Sequence, residues 1–187
     1  MEWANMTKPD YIGFVFAKSR RQVSPEQAGI LRKALDPSIV PVGVFVDEEM
    51  ERILSLTRQN VIGMVQLHGH EDEAYIEQLK SACPVPVIKT VHMRQKGDVQ
   101  QWRHTAADYL LLDHPGGGTG ECFDWQMIDQ TDKPFFLAGG LHVDNIRDAI
   151  RQANPFAVDI SSGVETNGYK DLYKMQAVIR RIREDYE

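Results

Sequence analysis

Two glycine- and serine-rich stretches late in the chain carry the clearest chemical signal: Gly139-Gly140 and Ser161-Ser162-Gly163. Glycine lets backbone amides approach an anion closely, and a helix N-terminus adds partial positive charge. Together they read as a phosphate site; the plainer reading is a pair of tight turns. Asp113 closes the apolar run Tyr109–Leu112 and precedes a glycine-rich stretch. A carboxyl group placed there can serve as general acid or base, or it can only order the loop. The Gly116–Gly120 run lacks both the GxGxxG spacing and a Walker lysine, so it reads as a mobile cover over the site. Arg21 could clamp a carboxylate through two guanidinium nitrogens, or simply be solvated. His68 could carry a proton, but a lone histidine is more often a hydrogen-bonding wall. Lys89 reads as a strand-end lysine; a Schiff-base role would require burial.

These residues fall at the ends of recurring β-rich runs. The runs are Tyr11–Phe16, Val40–Val46, Met64–Leu67, Val85–Val91, Tyr109–Leu112, Phe135–Ala138 and Phe156–Ile160. Between most of them the apolar spacing is helical. Val143, Ile146, Ile150 and Ala153 share a face, as do Leu172, Met175, Ile179 and Ile182. Ser24-Pro25-Glu26-Gln27 reads as an N-cap, a proline at the first helical position and a capping-box glutamine, opening a helix to about Leu35. Strand and helix alternating every 20–30 residues or so predicts an α/β fold with a parallel sheet, in a single domain over residues 1–187. An open doubly wound sheet and a closed barrel both fit this pattern. In either, functional groups gather at the carboxyl ends of strands, which is where Arg21, His68, Asp113, Gly139 and Ser161 stand.

Composition narrows the classes. The chain of 187 residues is 42% apolar and 26% charged, with a formal charge of -6. That acidic balance argues against a broad nucleic-acid surface. Two cysteines, Cys83 and Cys122, suggest neither a disulfide framework nor a metal motif. No stretch has the length of a membrane span and the start lacks a signal layout, so a cytoplasmic protein is expected.

The strand ends, taken in order, resemble the phosphoribosylanthranilate isomerases of tryptophan biosynthesis. Asp10–Phe16 with Lys18-Ser19-Arg20-Arg21 and Ser24-Pro25 is similar to that family's second strand and following loop. Val42–Val46 and Val65–Gly69 resemble its third and fourth strands. Leu111-Leu112-Asp113 with Gly117–Gly120 and Phe123-Asp124-Trp125 resembles the sixth. Ala138–Leu141 and Phe156–Glu165 resemble the seventh and eighth. The resemblance implies a (β/α)8 TIM-type barrel lacking its first βα unit, with seven parallel strands. It implies an Amadori rearrangement of N-(5-phosphoribosyl)anthranilate with no metal or organic cofactor. Asp113 would be the general acid, and Arg21 would hold the anthranilate carboxylate. His68 and Asp159 would line the pocket, and Gly139, Gly140, Ser161, Ser162 and Gly163 would bind phosphate.

One departure stands out. The family opens with a strand reading roughly Lys-Ile-Cys-Gly, whose cysteine is the general base, whereas Met1–Met6 resembles only the end of the helix after it. Cys83, in a helix-to-strand turn, and Cys122, in the loop after Asp113, do not match that cysteine. The expectation is a truncated, impaired isomerase whose open strand edges, Tyr11–Phe16 and Phe156–Ile160, favour a homodimer. The alternative is a non-catalytic phosphosugar-binding homologue. An indole-glycerol-phosphate synthase or an aldolase is disfavoured, because Lys89 has no evident acidic partner in sequence.

Overall fold

In the computed structural model, which describes residues 1–116 and 120–186, strands and helices alternate as the apolar spacing requires. The strands are β1 (Tyr11–Val15), β2 (Val40–Phe45), β3 (Met64–Leu67), β4 (Val87–His92), β5 (Tyr109–Asp113), β6 (Phe135–Leu137) and β7 (Ala157–Val158). They form one seven-stranded parallel sheet in chain order, bearing out the expected strand count. The helices are α1 (Glu2–Thr7), α2 (Pro25–Ala34), α3 (Met50–Arg58), α4 (Glu73–Ala82), α5 (Ile146–Ala153) and α6 (Leu172–Tyr186). The chain packs as two compact units, Met1–Thr90 with Thr105–Tyr109, and Val91–His104 with Leu110–Glu187.

In the first unit, α2 starts as its sequence dictates. The Ser24 hydroxyl accepts from the Gln27 amide, and the Gln27 side chain accepts from the Ser24 amide. Phe16 and Phe45 are both buried and stack with ring centroids 5.0 Å apart. Helix α3 turns Ile53, Leu54 and Leu56 inward; each such buried side chain contributes about 1.5–3 kcal/mol. Asp108 braces this unit from beyond the main segment. Its carboxylate accepts from the Lys80 ammonium and from the Val87 amide.

In the second unit, strand alternation separates two sets of side chains. Leu110, Leu112, Phe135 and Leu137, with Val158 and Ile160, pack against Ile146, Ala149 and Ile150 of α5 and against Met175, Val178, Ile179 and Ile182 of α6. Leu111, Asp113, Phe136, Ala138, Ala157 and Asp159 therefore lie on the opposite face.

Most strand ends shift by one or two residues from expectation, and three features differ more. β7 is two residues long, although Phe156 and Asp159 still donate to the carbonyls of Phe135 and Leu137 on β6. Helix α5 begins at Ile146, because the Asn145 side chain accepts from the His142 amide and holds the preceding turn. A small hairpin, β8 (Glu165–Thr166) and β9 (Tyr169–Lys170), follows β7. Its Asn167-Gly168 corner has φ 52° and 82°, and the Asn-Gly pair is a legible hairpin signal. Among the described residues, no helix is long and apolar enough to cross a membrane.

Candidate active site

Asp113 is the last residue of β5, and its surroundings follow from the strands beside it. Only 8% of the residue is exposed. Its Oδ1 accepts from the His114 amide at 2.8 Å. Burial, reinforced by the negative charge of Asp159, pushes its pKa from the ordinary 3.8 up to about 6, and the His114 contacts offset only part of that. A carboxyl group poised there still carries a proton in about a tenth of molecules at pH 7, which suits a general acid.

Three glycines let the neighbouring loops close around this residue. Gly139 sits at φ 84°, and a Cβ there would lie 2.9 Å from the His114 nitrogen and 3.1 Å from Asp113 Oδ1. Gly140, at φ 63°, abuts the backbone of Glu121 and Cys122. Gly163 lies so close to the Leu141 carbonyl that a Cβ would collide with its oxygen. The loops after β5, β6 and β7 are thus interlocked. Ser161 precedes a single 3-10 turn, Ser162–Val164, and its carbonyl accepts from the Lys170 ammonium at 2.8 Å. Asp159 follows β7 and is exposed, and its amide donates to Leu137. The second unit therefore gathers Asp113, Asp159, Gly139, Gly140, Ser161, Ser162 and Gly163 at the carboxyl ends of adjacent strands. The glycine pair itself is not a helix N-terminus, since Leu141–Asn145 intervene before α5.

Arg21 and His68 belong to the first unit, on loops after β1 and β3, with β2 between those strands. The loop of Arg21 folds back along β1, where Val23 donates to Val15 and the Gln22 side chain to Phe16. His68 is half-buried, with Nδ1 3.0 Å from both Gln66 Nε2 and Thr90 Oγ1. With the Gln66 amide donating, Nδ1 is an acceptor, and the neutral ring carries its proton on Nε2.

Lys89 does not end its strand, contrary to the expectation from sequence. It stands inside β4, only 2% exposed, and its ammonium lies 2.8 Å from both Glu71 Oε2 and the Gly69 carbonyl oxygen. Lys89 has an acidic partner after all, supplied by the turn after β3, where no sequence motif announced it. An ammonium engaged by a carboxylate is a poor amine nucleophile, so the Schiff-base reading weakens for the opposite reason. Cys83 closes α4 and Cys122 accepts from the Asn145 side-chain amide; neither is in a disulfide. Burial pushes the Cys122 thiol up, against thiolate formation. The Gly116–Gly120 run, expected as a mobile cover, lies partly outside the described residues. Sequence reasoning missed Glu71 and Lys170; the Asn167-Gly168 corner was the available signal for the second.

Parallel strands in chain order, with a poised carboxyl group and glycine loops at their carboxyl ends, define an enzyme of TIM-type fold. Comparison with known proteins narrows the class. The family model for N-(5'-phosphoribosyl)anthranilate (PRA) isomerase matches residues 3–181. The isomerase of Endomicrobium trichonymphae is 43% identical, over 98% of this chain and 92% of the relative. The crystal structure of the Thermus thermophilus enzyme superimposes with a TM-score of 0.87 at 31% identity, covering 98% of this chain and 92% of that one. A PRA isomerase solved in complex with reduced 1-(o-carboxyphenylamino)-1-deoxyribulose 5-phosphate gives 0.81 at 33% identity, with the same coverage. The chain belongs to the phosphoribosylanthranilate isomerase family, enzymes of tryptophan biosynthesis.

Proposed function

We propose that this chain acts on N-(5-phosphoribosyl)anthranilate, converting the aminoaldose to 1-(2-carboxyphenylamino)-1-deoxyribulose 5-phosphate. The observation that carries the assignment is Asp113, a buried carboxyl group with its pKa raised to about 6 amid the interlocked loops of Gly139, Gly140 and Gly163. Asp113 donates a proton to the furanose ring oxygen and the ring opens to a protonated imine; loss of the C2 proton gives the enolamine, and protonation at C1 with loss of the enol proton gives the ketose. Backbone amides of the Gly139-Gly140 and Ser161–Gly163 turns hold the phosphate, Arg21 takes the anthranilate carboxylate, and His68 and Asp159 line the pocket.

The proton abstraction is the weak step of this polypeptide. By resemblance, the family's general base is the cysteine of a Lys-Ile-Cys-Gly strand, and these 187 residues contain no such segment. Cys122 does not replace it, because its thiol is disfavoured as a thiolate. Loss of a general base lowers rate by about 10²–10⁴-fold. The same proposal places the enzyme in the cytoplasm and lets it self-associate through β1 and β7, the two ends of the sheet. A Thermotoga maritima relative is described as dimeric.

The test pairs titration calorimetry with a turnover assay. The reduced product analogue should bind, inorganic phosphate should compete with it, and turnover should be slow but measurable. Absence of binding would sink the assignment, and turnover at family-like rates would sink the impairment. Binding with no turnover would favour the alternative, a non-catalytic phosphosugar-binding homologue.

A further inference from the structure

The faces of the second unit put two carboxylates on one level. Leu112 pairs with Leu137, and Leu137 with Val158. One residue further on, Asp113, Ala138 and Asp159 stand side by side, with Ala138 donating to Leu112 and Asp159 to Leu137 at 2.8 Å each. Laterally paired residues of a sheet point to the same side, and here it is the side opposite the helix-facing cluster of Leu112, Leu137 and Val158. Two strand spacings separate the two backbones by about 10 Å. The residue between them is alanine, which raises no bulk between the carboxyl groups. Their environments differ sharply, since Asp113 is buried and Asp159 is exposed.

We propose that Asp159 is a positioning residue for the catalytic proton: an exposed carboxylate, level with Asp113 across Ala138, whose charge enlarges the share of Asp113 that still holds its proton near neutral pH. This rests on Asp113 being the general acid. Two carboxylates facing one site cannot ionise with equal ease, and the better solvated one ionises first. The division of labour is therefore set by exposure, with the wet group ionising first and the dry group holding its proton to higher pH. The upward shift at Asp113, to which Asp159 adds, accords with this. The other titratable groups that face Asp113 within its unit are His114, next in the chain, and His92 at the end of β4, with a ring nitrogen within 4.8 Å of the carboxylate. Glu121 reaches His114 at 3.9 Å. All three stay constant when only residue 159 is changed.

The test is a carbon-13 NMR titration of aspartate-labelled protein, with Asp113→Asn assigning the Asp113 resonance. Asp159→Asn should lower the Asp113 midpoint by about half a unit to one unit, as expected for loss of one nearby, partly solvated charge. Asp159→Glu, which retains the charge, should restore it. An Asp113 midpoint unmoved by Asp159→Asn overturns the proposal, whereas a shift in both variants alike shows a merely structural role and overturns it too. The general-acid reading fails separately, if Asp113→Asn leaves turnover unchanged. Where turnover is measurable, Asp159→Asn should move the alkaline fall of kcat/KM to lower pH by the same amount, with analogue affinity changed less.

Discussion

Two carboxylates, Glu71 in the first unit and Asp113 in the second, are almost equally buried, at 6% and 8% exposed, yet they are supplied in opposite ways. Glu71 Oε1 accepts from the Asp47 amide at 2.9 Å, and Oε2 accepts from the Gly69 amide at 3.0 Å and from the Lys89 ammonium at 2.8 Å. Each of these donors comes from a different strand or strand end, so the charge cross-links the loops after β2 and β3 to β4. Asp113 accepts from its neighbour's amide and faces a second negative charge instead. Burial alone does not say what a carboxyl group is for. Burial matched by an ammonium and two amides makes a brace, and burial matched only in part raises a carboxyl group's pKa.

The sharpest way to break this contrast is to remove the charge of the brace. Glu71→Gln strands the Lys89 ammonium in the interior and should cost about 3–5 kcal/mol, read as a lowered urea midpoint. Replacing both partners with methionine should recover much of that loss, because no buried charge then remains. If Glu71→Gln proves neutral, the pair is no brace.

Asp113→Asn should act in the opposite sense. The folded-state pKa of about 6 lies above the ordinary 3.8, so native protein binds the proton more tightly than unfolded chain. Its favourable contribution is complete below about pH 4 and is lost as pH rises through 6. The variant should therefore match wild type at low pH and gain stability above pH 6, by up to about 3 kcal/mol. Turnover should fall together with that gain, by about 10²–10⁴-fold. Unfolding curves at pH 4 and pH 8 decide the matter, and a variant less stable than wild type at pH 8 would refute the raised-pKa reading.

Gly163→Ala probes the loops that enclose Asp113. The added methyl meets the Leu141 carbonyl oxygen, so the turn must shift, at a cost of about 1–2 kcal/mol. The larger effect should appear in calorimetry, as loss of phosphate competition against the product analogue. Retained competition would remove the Ser161–Gly163 turn from the phosphate site.

Local signals carried far in this chain. The Ser24–Gln27 capping box, the seven β-rich runs and the helical spacing of Met175, Ile179 and Ile182 all depend on neighbours in sequence, and each appears, the strands with ends shifted by up to two residues. Asp113 and the two glycine turns were legible for a related reason: in a parallel sheet, a strand's carboxyl end is known once the strand is known. The short β7 and the late start of α5 were not legible, because side chains from other turns decide where backbone pairing stops.

The sequence by itself therefore determined which residue types stand at which strand ends, and with them the family. Only the tertiary structure decided their charge states and partners. Nothing near Lys89 in the chain foretells Glu71, since the two are joined by strand adjacency, at a separation where electrostatics acts and sequence does not. Asp113 and Asp159 are likewise far apart in the chain and stand level only because two parallel ladders share one register. A carboxyl group's pKa is a property of the water, dipoles and charges within a few ångströms, and those are assembled by the fold.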